Sequence, residues 1–470
     1  MKKSFFYLFI FWINLAVSQN KQLIFGMTEN PQALMLNPGA TVLHDLHIGL
    51  PLLSQFHFNA GITGISIDDI FVSSDIDINL RLRNAVSDLR STDFITLTQQ
   101  LDILNFGWRK NDKIYYSGGI YQEFDFINYF PKDLAVLALE GNREFIGDPF
   151  NIGQVNFRGE LLTVFHFGIN KKVNKKLTIG ARAKIYSSIF SVQSTNNSGS
   201  FITRVRPNSD NIFEHILDVD FSVKTSGIAS LVDSEEDIDI VKTLKKRALL
   251  GGNLGLGLDF GATFEIDERW TVSGSVIDFG MVFNSKDVET HTAKGRFETS
   301  GIEFILPPLD DPDAEPRYTD ILDEFDESVV RDTLTSAYIQ LRPLKINGSI
   351  SYGFGYKKYG NEDCDCLKKE RKAEPWTQYI GAHLFSVFRP KRPQVALSLY
   401  YQKRWTNFLF TRITYTVDEF SLNNIGFGLT TNIGPLNFFV AADNILGYRN
   451  LAKAKSVSLQ LGFNLKFYRK

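Results

Sequence analysis

The sequence predicts an all-β chain: an antiparallel transmembrane outer-membrane β-barrel of about 14 strands, with an N-terminal plug-like segment and helical or loop insertions. Three observations predict it. From Val457 to Phe467 the residues VSLQLGFNLKF alternate strictly, with Val457, Leu459, Leu461, Phe463, Leu465 and Phe467 on one parity. A period of two separates them from Ser458, Gln460, Gly462, Asn464 and Lys466 on the other face of a strand long enough to cross a bilayer at a tilt. The 470 residues include 40 Phe, 17 Tyr and 35 Gly, a load of aromatics that a barrel can turn toward lipid. After the leader no window holds the roughly twenty uninterrupted apolar residues of a spanning helix.

Residues 1–18 read as a secretory signal. Lys2 and Lys3 precede an apolar run from Phe5 to Val17, and Ala16-Val17-Ser18 places cleavage before Gln19. Residues 19–470 then form a single barrel domain. Residues 19–45 are turn-rich, hold Pro31 and Pro38, and end near Asn37-Pro38-Gly39-Ala40, a segment for the barrel mouth or its interior. Leu46 to Ala60 is strand-like with a kink expected at Pro51. Asp68 to Gln100 is polar and breaks the period, so it reads as an excursion. Leu101 to Trp108 and Ile114 to Phe124 resume the strands across a turn containing Lys110-Asn111-Asp112. Asp125 to Val155 reads as a second, aromatic insertion.

The next hairpin is cleaner. Leu161 to Ile169 and Leu177 to Ile185 alternate around the basic turn Asn170 to Lys176. Arg182 and Lys184 are too costly at the lipid midplane, so their parity, shared by Tyr186, is expected to face the lumen. Asn196 to Asn211 reads as a polar loop, and Ser230 to Arg247 as an acidic then basic one. In residues 251–266, Leu254, Leu256, Leu258, Phe260 and Phe264 take one face. Gly255, Gly257, Asp259, Gly261, Thr263 and Glu265 take the lumen face, where glycine leaves room for a plug or for curvature. Residues 307–333 form an acidic, partly helical insertion in which Ile321, Leu322, Phe325, Val329 and Leu334 share a helical side. From Ile350 onward hairpins follow one another to the last strand.

No enzyme chemistry is visible. None of the seven histidines stands in HExxH, and no Gly-x-Ser-x-Gly elbow occurs. Gly251 to Gly257 alternates as a strand and does not open a helix, which excludes a dinucleotide loop. Cys364 and Cys366 have neither partners nor spacing for zinc, and the acidic insertion lacks the ordered ligands of a calcium loop. No catalytic, cofactor or metal site is assigned. A net charge of −2 gives no signal for nucleic acid.

The ordered set Val17-Ser18-Gln19, Asn37-Pro38-Gly39-Ala40, 48-IGLPLLSQ-55, 395-VALSLYYQKR-404 and 424-NIGFGLTTNIGPLNFFVAADNILGY-448 resembles a Bacteroidota outer-membrane barrel family of unknown function. That family is distantly similar to the PorV subunit of type IX secretion and to the long-chain fatty-acid transporter class. The resemblance implies that Asn37 and Pro38, followed by Gly39, correspond to the Asn-Pro-Ala element of a transporter plug. Two functions remain. The first is a non-enzymatic accessory or adaptor subunit of an envelope complex in the outer membrane, with protein partners. The alternative is a channel or transporter for small, apolar ligands.

Overall fold

The computed structural model describes residues 22–72, 75–206, 212–232, 239–300, 304–305, 317–318, 321–356 and 376–468. The signal segment, the two cysteines and most of 307–320 lie outside these residues.

Fourteen antiparallel strands close into a ring. In chain order they are β1 (Leu46–Gly49 and Phe56–Ile62), β2 (Phe94–Asn111), β3 (Ile114–Tyr129), β4 (Asn156–Lys172), β5 (Leu177–Ser194), β6 (Asn253–Glu265) and β7 (Trp270–Asn284). The circuit continues with β8 (Tyr338–Leu341 and Lys345–Tyr356), β9 (Trp376–Phe388), β10 (Pro393–Arg404), β11 (Leu409–Val417), β12 (Asn424–Ile433), β13 (Leu436–Asp443) and β14 (Ser456–Phe467). Closure comes from β14 pairing with both parts of β1, from Leu46 opposite Phe467 to Gly61 opposite Ser456. A closed ring leaves no sheet edge to satisfy in lipid.

Alternation sets the two faces. On β6, Leu254, Leu256, Leu258, Phe260 and Phe264 are exposed on the outside, while Gly255, Gly257 and Asp259 are buried inside. On β14 the even residues Ser458, Gln460, Asn464 and Lys466 are all buried. The lumen is therefore packed and polar, and the exterior is the apolar surface that a bilayer covers.

β1 begins and β14 ends on one side of the barrel, with Leu46 opposite Phe467. Short turns at 112–113, 173–176, 266–269 and 434–435 share that side, whereas the described helices that connect strands lie on the other. There Ile67–Phe71, Ile78–Asp88, Lys132–Glu140 and Ile240–Lys246 are helical. Strands Ser198–Val205, Phe213–Ser226, Val288–Thr299 and Val329–Leu334 build a sheet that rises from the end of β5 through Ser191 opposite Ser226.

Pro51 marks a break in β1. Residues 50–55 stand where β14 uses only Gly462 and Phe463, so extra chain is looped out of the wall. Leu52 adopts φ 63° and is exposed with Leu53, while Ser54 and Gln55 are buried. The loop stays bonded to both neighbours, with Leu52 N–H donating to the Ile103 carbonyl and Phe463 N–H to the Leu53 carbonyl.

Several boundaries differ from the periodicity reading. The first excursion ends at Asp93, because β2 begins at Phe94 and pairs Phe94 with Tyr129. The second starts only after Tyr129, so Phe126 and Tyr129 belong to β3. At that end the inward residues Phe94, Ile127 and Tyr129 form an apolar cluster with Phe420, which breaks the polar-inside alternation. Ser198–Val205 within the expected loop 196–211 is a strand. The acidic helix covers Ile321–Ser328, and Val329–Leu334 is a strand held by pairing with 290–295. That non-local pairing overrides a local helical pattern.

Candidate functional site: a lumen filled by the N-terminal segment

Residues 22–45 run inside the barrel. They form a short turn at Gln22–Ile24, one helical turn at Ala33–Leu36 and otherwise irregular chain. Irregular backbone at membrane depth survives only where its polar groups find partners within protein. The wall supplies them. Arg412 donates to the Leu23 and Phe25 carbonyls at 3.0 and 2.6 Å. Lys466 Nζ donates to the Glu29 carbonyl at 2.6 Å. Arg182 donates to the Leu34 and Met35 carbonyls at 3.0 and 2.7 Å, where a helix end leaves carbonyls free. Asn170 donates to the Pro38 and Ala40 carbonyls at 2.8 and 2.9 Å. Arg109 donates to the Val42 and His44 carbonyls and pairs with Asp45 at 2.9 Å.

Apolar contacts add to this. Leu23, Ile24 and Met27 pack on Phe439 and Ala441. Met35 enters a cluster with Tyr121, Leu162, Val164, Tyr186 and Val282. Phe25 stacks on His383 with ring centres 4.3 Å apart. Gln32 binds Asn464 at 2.8 Å and the Ser54 carbonyl at 2.8 Å, so the segment touches the break in β1 directly.

Asn37, Pro38 and Gly39 press on the wall between β5 and β6. Asn37 Nδ2 donates to the Ala262 carbonyl at 3.3 Å and the Thr263 hydroxyl at 3.4 Å. Room for this approach exists because the facing residues are Gly180 and Gly261. A Cβ on Gly180 would stand 2.0 Å from the Pro38 carbonyl oxygen, and one on Gly261 2.0 Å from Asn37 Oδ1. Gly261→Val is therefore expected to displace residues 37–39 at a stability cost of about 1–3 kcal/mol. Faster hydrogen exchange at residues 37–40, with unchanged exchange in β9–β12, is the readout.

Above the helical turn runs a buried chain of charge. Arg182 pairs with Asp259 at 2.6 Å, and Lys184 bridges Asp259 at 2.9 Å and Asp278 at 2.5 Å. Lys345 joins Asp278 at 2.8 Å to Glu123 at 3.0 Å. Arg342 continues from Glu123, at 3.2 Å, to Glu160, which Arg158 also meets at 3.2 Å. Tyr186 donates to Asp278 at 3.2 Å. Each charge has an opposite charge within 3.2 Å, which is what lets it stay buried, although Arg158 Nε and Arg342 Nε and Nη2 have no hydrogen-bond partner among the described residues.

A cavity remains beside the helical turn. Lined by Met35, Tyr121, Glu123, Lys184, Asp278 and Lys345, it offers about 30 Å³ to the centres of water-sized molecules. That holds roughly two waters. At the far end, Arg389 pairs with Asp125 at 2.9 Å, and Lys391 Nζ donates to the Ser91 and Gln154 carbonyls of two covering loops. Burial works against the Arg389 charge, but the Asp125 carboxylate outweighs it and raises its pKa. Burial alone lowers that of Lys391.

Of the residues singled out by sequence, Arg182, Lys184, Tyr186 and Asp259 come together in the lumen. Glu265 shares their parity but is the last residue of β6 and is exposed at the rim. Glu123, Glu160 and Arg412 were missed, although each charge stands at inward parity within an alternating strand, and Lys466 was placed on the water-tolerant parity of its strand but given no role. Asp278 gives no such signal. The ladder shifts between Leu258 and Phe260, and Asp278 sits at φ 62° in the resulting bulge, so Ile277 and Asp278 both turn inward. Its N–H donates to Asp259 Oδ1 at 2.7 Å, which holds the bulge in place.

Among solved structures, the chain is similar to the Ralstonia pickettii toluene transporter TbuX, at 11% identity and TM-score 0.40 over 93% of this chain and 94% of that one. It is similar to the CymD monoaromatic hydrocarbon channel, at 10% identity and TM-score 0.40 over 97% and 99%. A Pseudomonas aeruginosa FadL homologue matches at 10% identity and TM-score 0.44 over 97% and 100%. No curated protein matches. A family model, described as a family of unknown function, matches residues 38–443, from the wall-bound Pro38 to the end of β13. The chain belongs to this family, DUF5723.

Proposed function

We propose that this protein is a non-enzymatic outer-membrane transporter for small apolar ligands, closed at rest and opened by movement of residues 22–45. The observation that carries the reading is the contact of Gln32 with Ser54 and Asn464. It links the lumen-filling segment to β1, which is looped out of the wall at the exposed Leu52 and Leu53. A shift of the segment would unfill the lumen and free the break in one motion. Export by a signal peptide would place both termini in the periplasm and the long loops outside.

The test is uptake of small hydrocarbons and fatty acids by cells carrying the protein, with the segment free or cross-linked to the wall. Uptake above that of cells lacking the barrel, lost on cross-linking, supports transport.

The adaptor reading, placed first from sequence, stands second. It is favoured by the sheet that rises beyond the barrel, whose outermost described strand exposes Val330 and Leu334. A partner seated there, as on a PorV-like barrel, would co-purify from native membranes and be lost on deletion of residues 329–334.

A further inference from the structure

Two adjoining turns on the side where β1 begins and β14 ends concentrate positive charge. Lys110 and Lys113 flank the β2–β3 turn, and Lys171, Lys172 and Lys175 lie in the β4–β5 turn. The turns are joined by the Lys172 N–H donating to the Lys113 carbonyl at 2.8 Å. All five side chains are exposed, and none forms an ion pair with a described residue. Their one neighbouring acid within these turns is Asp112. The next turn along the ring is acidic by contrast, with Glu265, Asp267 and Glu268. Among the described turns of this rim, these two neighbours together carry five exposed lysines.

The wall beside that arc is aromatic. Trp108, Tyr116 and Phe167 pack together on the outer face with ring centres 5.4–6.1 Å apart. Trp108 is 39% and Phe167 49% exposed, and Ile169 extends the outward column to Lys171. Aromatic residues collect at the level where hydrocarbon gives way to headgroups. The lysines therefore stand at phosphate depth, with stems able to lie along apolar surface and ammonium groups among the headgroups.

We propose that this arc binds anionic phospholipid, its acyl chains against Trp108, Tyr116 and Phe167 and its phosphate among Lys110, Lys113, Lys171, Lys172 and Lys175. The occupant follows from continuity: the lipid-covered wall runs directly into the cluster. It follows also from charge, because five unpaired ammonium groups distinguish an anionic headgroup from a zwitterionic one. Lysines gathered beside a lipid surface draw anionic headgroups to it over about a Debye length.

The test uses the full chain purified in detergent and offered equal phosphatidylglycerol and phosphatidylethanolamine, with retained lipid read by native mass spectrometry. Wild type is expected to retain phosphatidylglycerol about tenfold over phosphatidylethanolamine. The variant with all five lysines changed to Gln should lose that preference while keeping its β-sheet circular dichroism. A control with Lys242→Gln, Lys245→Gln and Lys246→Gln, at the opposite end, should keep it. Equal retention by wild type, an unchanged preference in the five-lysine variant, or an equal loss in the control would overturn the proposal.

Discussion

Arg182→Met is expected to loosen the N-terminal segment and to cost about 3–5 kcal/mol, the usual loss when one partner of a buried ion pair is removed. Two effects combine. The guanidinium is the donor that holds the Leu34 and Met35 carbonyls. It is also one of two cations on Asp259, which is fully buried. Lys184 stays within 2.9 Å of Asp259, so the loss should fall near the lower end of that range. Arg182→Lys separates the effects. It keeps a charge beside Asp259 but cannot reproduce the fork that reaches two successive carbonyls. Urea unfolding should show a smaller destabilisation for Lys than for Met, whereas hydrogen exchange at residues 33–37 should rise in both. Equal protection of 33–37 in wild type and both variants would show that Arg182 is not the clasp.

Deleting residues 22–44 behind an intact signal should convert a barrel with no measurable conductance into one with steady open steps in a planar bilayer. The segment fills the lumen with Leu23, Ile24, Phe25, Met27, Leu34 and Met35, and the described cavity beside it has room for roughly two waters. Without it, Arg412, Lys466 and Asn170 lose carbonyl partners and are left facing the lumen, which water then enters. The ring itself does not depend on the segment, because β14 pairs with β1 along both of its parts. A deletion that inserts as a barrel yet stays silent would mean that the covering loops, tied down through Arg389 and Lys391, close the lumen unaided.

Much of this architecture was legible in the sequence, for a physical reason. The alternation in residues 457–467, 177–186 and 254–264 reports a wall between lipid and a polar lumen, and the last two of these placed Arg182, Lys184, Tyr186 and Asp259 inside. The glycines on the face opposite Leu254, Leu256, Leu258 and Phe260 were read as room for a plug or for curvature; Gly261 faces Asn37 of the N-terminal segment, while Gly257 faces the Tyr186 ring of the wall. What escaped were features made by contacts distant in sequence. Asp278 faces inward only because of a bulge held by Asp259, and Val329–Leu334 is a strand only because residues 290–295 pair with it. The carbonyl-binding roles of Arg109, Asn170, Arg412 and Lys466 needed the path of residues 22–45, which no periodicity encodes.

The central claim is that residues 22–45 are a movable closure. Its most direct test places Asn30→Cys and Thr430→Cys, whose native side chains hydrogen-bond between segment and wall at 3.0 Å, in a background where Cys364 and Cys366 are Ser. Uptake of a small apolar ligand is then measured in oxidised and reduced cells carrying the same amount of barrel. The account predicts uptake near that of wild type when the pair is reduced and a loss of at least about tenfold when it is oxidised. Equal uptake in the two states, with the cross-link verified by mass spectrometry, would contradict it.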